Sequence, residues 1–283
     1  MPNCKITTDY PQKSEIYLDI VRRFRALLSG MAMVKDDEKT AVIQTVVNGE
    51  AIFCKRFCHG GIINSIKNQL RRSKANMSYF ASKEAVKRGI PVPEHIAAIE
   101  KRTAGFLINS YLFTRAIIGA LPLQHYVKEI FPFGGHYNPK EKQHFIKEIA
   151  SFIAKVHSAG MIHNDLKATN IIVNKLNNNY VFHVLDLDNV SFKNTVPMSI
   201  VVKNLVQLNN DCVYVFGAFD RLRFFVYYLE KAGMKMSRAE KHVLAEKVER
   251  LTLKKVKRWQ DEQQRLERKG KSKHRDDSIK LKR

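Results

Sequence analysis

His163-Asn164-Asp165-Leu166-Lys167-Ala168-Thr169-Asn170 brings an imidazole, a carboxylate, an ammonium and an amide within eight residues. The sequence before it reads as a helix. Asn138 is placed to cap it, Pro139 takes the first helical position, and Glu141, three residues after the cap, completes a capping box. Phe145, Ile149, Phe152, Ile153 and Val156 then recur at helical spacing until Gly160. After the octapeptide, Ile171 to Asn174 and Tyr180 to Leu185 read as a hairpin around Asn177-Asn178-Asn179, with Asp186 at its exit. A loop held between a buried helix and a hairpin can aim Asp165 and Asn170 at two sides of one bound group. The alternative for the same residues is a helix-capping loop followed by an ordinary hairpin. Further helices are expected near Val201 to Asn209, Phe219 to Ala232 and Arg238 to about Gln264.

Upstream the pattern is different. A helix is expected from about Glu15 to Leu28, with Ile16, Ile20, Phe24, Leu27 and Leu28 near one face and Gly30 beyond its end. Strands follow at about Ala32 to Lys35, Ala41 to Val47 and Ala51 to Phe57, and Asn48-Gly49 marks a tight hairpin. A basic segment (Lys67, Arg71, Arg72, Lys74) leads into a helix around Ser78 to Arg88, closed by Gly89 and followed by Pro91 and Pro93. Strand-like runs near His95 to Glu100 and Leu107 to Thr114 complete a small sheet-plus-helix unit, and no internal repeat is present.

The octapeptide resembles the catalytic loop of protein kinases, H-x-D-L-K-x-x-N. The resemblance implies an α+β, bilobal protein-kinase-like fold that uses ATP and Mg²⁺. Its lobes are expected at residues 1–116 (nucleotide-binding, sheet plus helix) and 117–264 (catalytic, mainly helical), with a basic, disordered tail at 265–283. It makes Asp165 the base that accepts the acceptor hydroxyl proton, Lys167 a γ-phosphate contact and Asn170 a Mg²⁺ ligand. Asp186, 21 residues beyond Asp165, stands where the family's metal-chelating Asp is found, although the motif reads Asp-Leu-Asp where kinases have Asp-Phe-Gly. Asp188 is read as a solvated or salt-bridged acid ahead of a second acid at the site. Ala51-Ile52-Phe53-Cys54-Lys55 looks like the third-strand lysine motif, with Lys55 on the α- and β-phosphates. Alternation puts Phe53 on the face of Lys55, over the adenine, where kinases carry a small residue. Glu84 is the expected ion-pair partner of Lys55, against a solvent-facing Glu on a basic helix. The loop Asp36 to Thr40 holds the place of the glycine-rich loop without a glycine.

Two absences bear on the acceptor. Asn164 stands where many protein kinases have the arginine that pairs with a phosphorylated activation loop. Only about sixteen residues separate Asp186 from the next expected helix, without an Ala-Pro-Glu segment. A peptide platform is therefore not expected, which favours a sugar, lipid or other small acceptor. The order of pieces resembles the bacterial lipopolysaccharide core kinases of the Kdo and heptose kinase family. Those pieces are a basic stretch, then Glu84 with Gly89-Ile90-Pro91-Val92-Pro93, then a strand with Leu112-Phe113-Thr114-Arg115, then His163 to Asn170, Leu185-Asp186-Leu187-Asp188 and Lys203-Asn204-Leu205. The likeness covers about residues 30 to 230 and implies ATP-dependent phosphorylation of an inner-core sugar hydroxyl, on an acceptor lipid at the cytoplasmic face of the inner membrane.

The composition agrees with that expectation. The 283-residue chain carries 49 Lys and Arg against 27 Asp and Glu, a formal charge of +22, which implies an anionic partner. Residues 254–283 supply +8 of it through thirteen Lys/Arg against five Asp/Glu, and include Trp259, an aromatic suited to a membrane interface. A glycolipid with carboxylates and phosphates and an anionic membrane surface both match this charge. A cationic aminoglycoside- or choline-type acceptor matches it poorly, and no RNA-reading motif is visible, so no nucleic acid partner is expected. A protein kinase acting on acidic substrates and a kinase-like scaffold remain as alternatives, the scaffold weakened by the joint presence of Lys55, Asp165, Asn170 and Asp186. Cys4, Cys54, Cys58 and Cys212 are too scattered for a disulfide framework, and Cys54, Cys58 and His59 lack a second Cys/His pair at zinc spacing. With no apolar stretch of spanning length and no leader pattern, a cytoplasmic protein is expected, peripheral at the membrane.

Overall fold

The computed structural model describes residues 3–30, 33–37, 39–59, 72–132, 134–212 and 215–268. Its first half is a six-stranded antiparallel sheet in the order β1-β5-β6-β4-β3-β2. The strands are β1 (Asn3–Thr8), β2 (Met33–Asp36), β3 (Thr40–Val47), β4 (Glu50–Cys58), β5 (His95–Thr103) and β6 (Phe106–Arg115). Asn48 and Gly49 both take positive φ (51° and 80°), which closes β3 onto β4 with Val47 opposite Glu50. β1, not anticipated from its polar residues, adds an edge by pairing with β5 from Asn3 opposite Arg102 to Thr8 opposite Ala97.

Alternation along β4 divides its side chains between two layers. Ile52 and Cys54 are buried against α1 (Ser14–Gly30), whose Tyr17, Ile20, Val21 and Phe24 form the inward stripe. The stripe is rotated from the expected one: Ile16 is exposed, and Tyr17 and Val21 take the core positions. On the other sheet face, Phe57 packs with Ala98, Leu112 and the Ala75 and Tyr79 of α2 (Lys74–Lys87). α2 begins four residues before the expected start, because the Ser73 hydroxyl accepts the Asn76 N–H at 3.2 Å and caps a first turn that reads as polar in sequence. Of the basic segment before it, Arg72 and Lys74 are described; Lys67 and Arg71 lie outside the described residues.

The second half is mainly helical. It contains α3 (Leu123–Ile130), α4 (Pro139–Ser158), α5 (Met198–Cys212), α6 (Ala218–Lys231) and α7 (Arg238–Arg268). A small sheet of β7 (Leu121–Pro122), β9 (Ile171–Leu176) and β10 (Asn179–Val184) lies among them, and β8 (Met161–His163) pairs with β11 (Val190–Phe192). Asn138 caps α4 as expected, accepting the Lys140 N–H at 3.0 Å. The capping box does not form: Glu141 turns away to Lys175 (2.5 Å) and Tyr180 (3.1 Å) and ties the helix to the β9–β10 hairpin. Phe145 anchors that junction within a cluster of Tyr126, Phe131, Tyr180 and Phe182, where truncation to alanine is worth about 3–5 kcal/mol. α7 runs to Arg268, four residues into the segment expected to be a disordered tail, and residues 269–283 lie outside the described ones. Among the described residues no helix is long and apolar enough to cross a membrane.

Candidate active site

Gly160 sets the entry to the octapeptide. It has φ +80°, and a Cβ there would lie 1.7 Å from the Lys193 carbonyl oxygen, so only glycine permits β11 to close on β8. The loop that follows is then pinned from several sides. His163 accepts the Asp165 N–H at Nδ1 (3.1 Å) and donates from Nε2 to the Leu185 carbonyl (3.0 Å), an assignment forced by the two partners. A single ring proton satisfies both bonds, and burial accordingly holds the His163 pKa below that of a free imidazole. This ring links the start of the loop to the residue before Asp186. Leu185 N–H also donates to the Asn170 carbonyl at 2.8 Å, and Ala168 N–H to Asp211 Oδ2 on α5 at 2.9 Å.

The structure brings five of the six expected residues together. Asp165 Oδ1 accepts from Gln207 Nε2 at 3.0 Å, and its Oδ2 lies 2.8 Å from Lys167 Nζ. Asn170 Nδ2 donates to the Asp165 carbonyl at 2.8 Å, which leaves its amide oxygen directed elsewhere. Asp186 receives Lys55 Nζ at 2.6 Å from 131 residues away, across the junction of sheet and helical half. Burial opposes its charge, but the Lys55 ammonium outweighs burial and lowers its pKa. Asp186 adopts left-handed backbone angles (φ 59°, ψ 60°), a conformation costing a non-glycine residue roughly 1 kcal/mol and held here by the bonds on either side. The Asp186 carboxylate and the Asn170 amide oxygen are hard oxygen donors of the kind Mg²⁺ takes.

Glu84 is the exception. It pairs with Arg88 (2.6 Å) rather than Lys55: the residues of α2 that pack on Phe57 of β4 are Ala75 and Tyr79, and Glu84 lies beyond them in the last turn. There it orients Arg88 across the molecule to the carbonyl of Ala159 at 3.0 Å. The position facing Asp-Leu-Asp is filled by Lys74, whose Nζ lies 3.1 Å from Asp188 Oδ2, so Asp188 is salt-bridged. Phe53 shares the Lys55 face of β4 and is partly buried. In the turn replacing a glycine-rich loop, Asp37 accepts the N–H groups of Lys39 (2.9 Å) and Thr40 (2.7 Å). With Lys35 beside it, these bonds hold its carboxyl well below the usual range, and those amides are already used. The stretch from Asp186 to α5 is shorter than expected, since α5 starts at Met198.

Asn204, Gln207 and Asp211, on the loop-facing side of α5, were not singled out as site residues by the sequence reading. Their signal is polar residues at i, i+3 and i+7, on one side of a helix whose Val201, Val202, Leu205 and Leu208 are apolar. A cavity of about 1080 Å³ lined by Phe145, Leu205, Phe225 and Leu253 opens among α4 to α7 and includes none of the loop residues.

Solved structures place this architecture in a known class. WaaP in complex with acyl carrier protein aligns with a TM-score of 0.61 over 87% of this chain and 99% of that chain, at 18% identity, and the chain has a protein-kinase-like fold. The model of the lipopolysaccharide kinase (Kdo/WaaP) family matches residues 37–228, more than half of the sequence. The chain belongs to that family, and it is an ATP-dependent kinase of lipopolysaccharide biosynthesis. A comparison with curated proteins gives no match.

Proposed function

We propose that the chain transfers the γ-phosphate of ATP to a hydroxyl of a Kdo or heptose unit in the lipopolysaccharide inner core, with Asp165 as base. The observation that carries this reading is the meeting of Lys55 and Asp186 beside an Asp165 carboxylate whose direction is set by its neighbours. The acceptor O–H gives its proton to Asp165 as its oxygen bonds to the γ-phosphorus; the bond from that phosphorus to the bridging oxygen breaks, and ADP leaves. Lys167, 2.8 Å from Asp165, is close enough to turn to the γ-phosphate as the acceptor approaches. Lys55 holds the α- and β-phosphates, and Asn170 and Asp186 hold Mg²⁺, which supplies charge neutralisation on the phosphates when bound. Glu84 acts through Arg88 as a tether of α2, not on the nucleotide. Residues 1–116 form the nucleotide lobe and 117–264 the catalytic lobe.

The short run from Asp186 to Met198 leaves little chain for a peptide platform, which supports a small or glycolipid acceptor. The +22 charge supports reversible docking on an anionic membrane, which for this reading is the cytoplasmic face, each Lys or Arg near that surface contributing about 1 kcal/mol. The test is labelled-ATP transfer to lipopolysaccharides of defined core structure, wild type beside Asp165→Asn. Transfer to cores that contain the target sugar and none to cores that lack it is expected. Equal labelling of all cores, or of protein alone, would overturn the acceptor assignment.

A further inference from the structure

Beneath Asp165 runs a row of buried polar side chains that phosphate transfer itself does not use. Tyr228 Oη donates to His157 Nδ1 at 2.8 Å, and His157 Nε2 to Asn204 Oδ1 at 3.1 Å. Asn204 Nδ2 donates to Gln207 Oε1 at 3.1 Å, and Gln207 Nε2 to Asp165 Oδ1 at 3.0 Å. All four residues are at least nine-tenths buried, and they come from α4, α5 and α6.

The direction of this row is determined. Asn204 Nδ2 also donates to the His163 carbonyl at 2.9 Å, and a carbonyl can only accept, so the amide cannot be reversed. Asn204 Oδ1 must therefore accept from His157, and His157, neutral in its buried setting, must accept from Tyr228 at its other nitrogen. Toward the loop, Gln207 Oε1 must accept from Asn204, which leaves Nε2 to face Asp165. Every donor in the row points at the carboxylate, and the backbone of the loop's own first residue sets that sense.

We infer that Gln207 is a positioning residue for phosphate transfer, holding Asp165 Oδ1 so that Oδ2 takes the acceptor proton, and that Asn204, His157 and Tyr228 keep the Gln207 amide in its donating orientation. The inference rests on the reading of Asp165 as base. A reversed Gln207 amide would bring its carbonyl oxygen against the carboxylate and turn Oδ1 away. A row that merely filled space would lower stability and folded fraction when altered, without singling out transfer.

The experiment measures kcat, KM for ATP and thermal midpoint on the full chain for Gln207→Met, Gln207→Glu and Asn204→Asp, each alone and combined with Asp165→Asn. Gln207→Met removes the donor at nearly constant shape and is expected to lower kcat about 10- to 100-fold with KM for ATP unchanged, the scale of one hydrogen bond to a charged group. Gln207→Glu and Asn204→Asp are expected to lower kcat at least as much, since both present an oxygen to Asp165, the second by forcing the Gln207 amide round. In the Asp165→Asn background the same changes should alter residual turnover by less than about two-fold, because the partner they act through is gone. Equal fold-losses in the two backgrounds, or losses of kcat that follow folded fraction, would overturn the positioning role. Near-wild-type turnover by Asp165→Asn alone would overturn the base reading instead. Gln207→Met keeps the test decisive should either acidic variant fail to fold.

Discussion

On the helical wall of the site Asp165 is held by the Gln207 amide, and the backbone around it is bonded to His163, Asn170 and Asp211, largely buried or half-buried groups of fixed direction. On the sheet wall Asp186 and Asp188 meet Lys55 and Lys74, ammonium groups on long stems whose side chains are 26% and 52% exposed. Directional hydrogen bonds between buried groups hold an angle and resist exchange. Ion pairs near solvent are weak and change partners readily. The two walls therefore suit two tasks: a base must be aimed at one hydroxyl, whereas lysines and acids that meet nucleotide and metal must release one another. Lys167 belongs to the second kind although it sits in the first wall.

The largest effect should come from the fixed wall. Asp165→Ala is expected to lower turnover about 10²- to 10⁴-fold while ATP affinity changes little, since the proposed role of the residue is as base toward the acceptor. Turnover above half of wild type in a steady-state assay would break the comparison at its centre. Asp186→Asn should act on the exchanging wall, raising the Mg²⁺ concentration needed for half-maximal rate, because the proposed metal site would lose a charged oxygen ligand. An unchanged Mg²⁺ titration would move the metal role to another group.

The fixed parts of that contrast were legible in unequal degree. The loop, the hairpin to Asp186 and the lysine strand each occupy one short run, so the apolar pattern reveals the elements and the resemblance to kinase motifs picks out their residues. β1 and α3 escaped notice because one is polar in sequence and the other is only two turns long. The Glu84 partner was not legible because nothing local says which turn of α2 lies over β4: Ala75 and Tyr79, nearer its start, pack on Phe57, and Glu84 lies beyond them beside Arg88. The row from Tyr228 to Asp165 joins side chains up to 71 residues apart, and no local pattern ties them together. A buried Asn204 or Gln207 looks in sequence like any polar residue of a helix.

The sheet wall contains one buried neutral group that sharpens the contrast by crossing it. His95 is 5% exposed, and its Nδ1 lies 2.8 Å from the Pro93 carbonyl, to which it donates. Burial, with smaller contributions from Lys83 and Lys55, lowers its pKa to about 4, despite the opposing bond to Pro93. The unfolded chain has an ordinary imidazole near 6.5, so above that pH neither state is charged and the contribution to stability is complete. As pH falls from about 6.5 to about 4 the unfolded state takes a proton that the fold excludes, and about 3 kcal/mol is lost before the effect levels off. His95→Asn keeps a donor for Pro93 and does not titrate there. Urea midpoints across this range should fall less steeply for the variant, and identical slopes would remove His95 from the acid response.

The smallest effect is expected at Lys74, where two contributions oppose each other. Its pairing with Asp188 at 3.1 Å joins a half-exposed ammonium to a carboxylate that is 14% exposed, and such a pair contributes about 0.2–1 kcal/mol. Yet Lys74 is the first residue of α2, where a cation meets the positive end of the helix dipole at a cost of about 0.3–1 kcal/mol. Lys74→Gln removes both, so stability should stay within about 0.5 kcal/mol of wild type, and its dependence on salt should weaken as a screened pair is lost. Chemical denaturation at two salt concentrations measures both quantities. A loss above about 2 kcal/mol would mean that Asp188 behaves as a buried charge left without its partner. In that case the sheet wall is built as rigidly as the helical one, and the division between aimed and exchanging groups fails at this position.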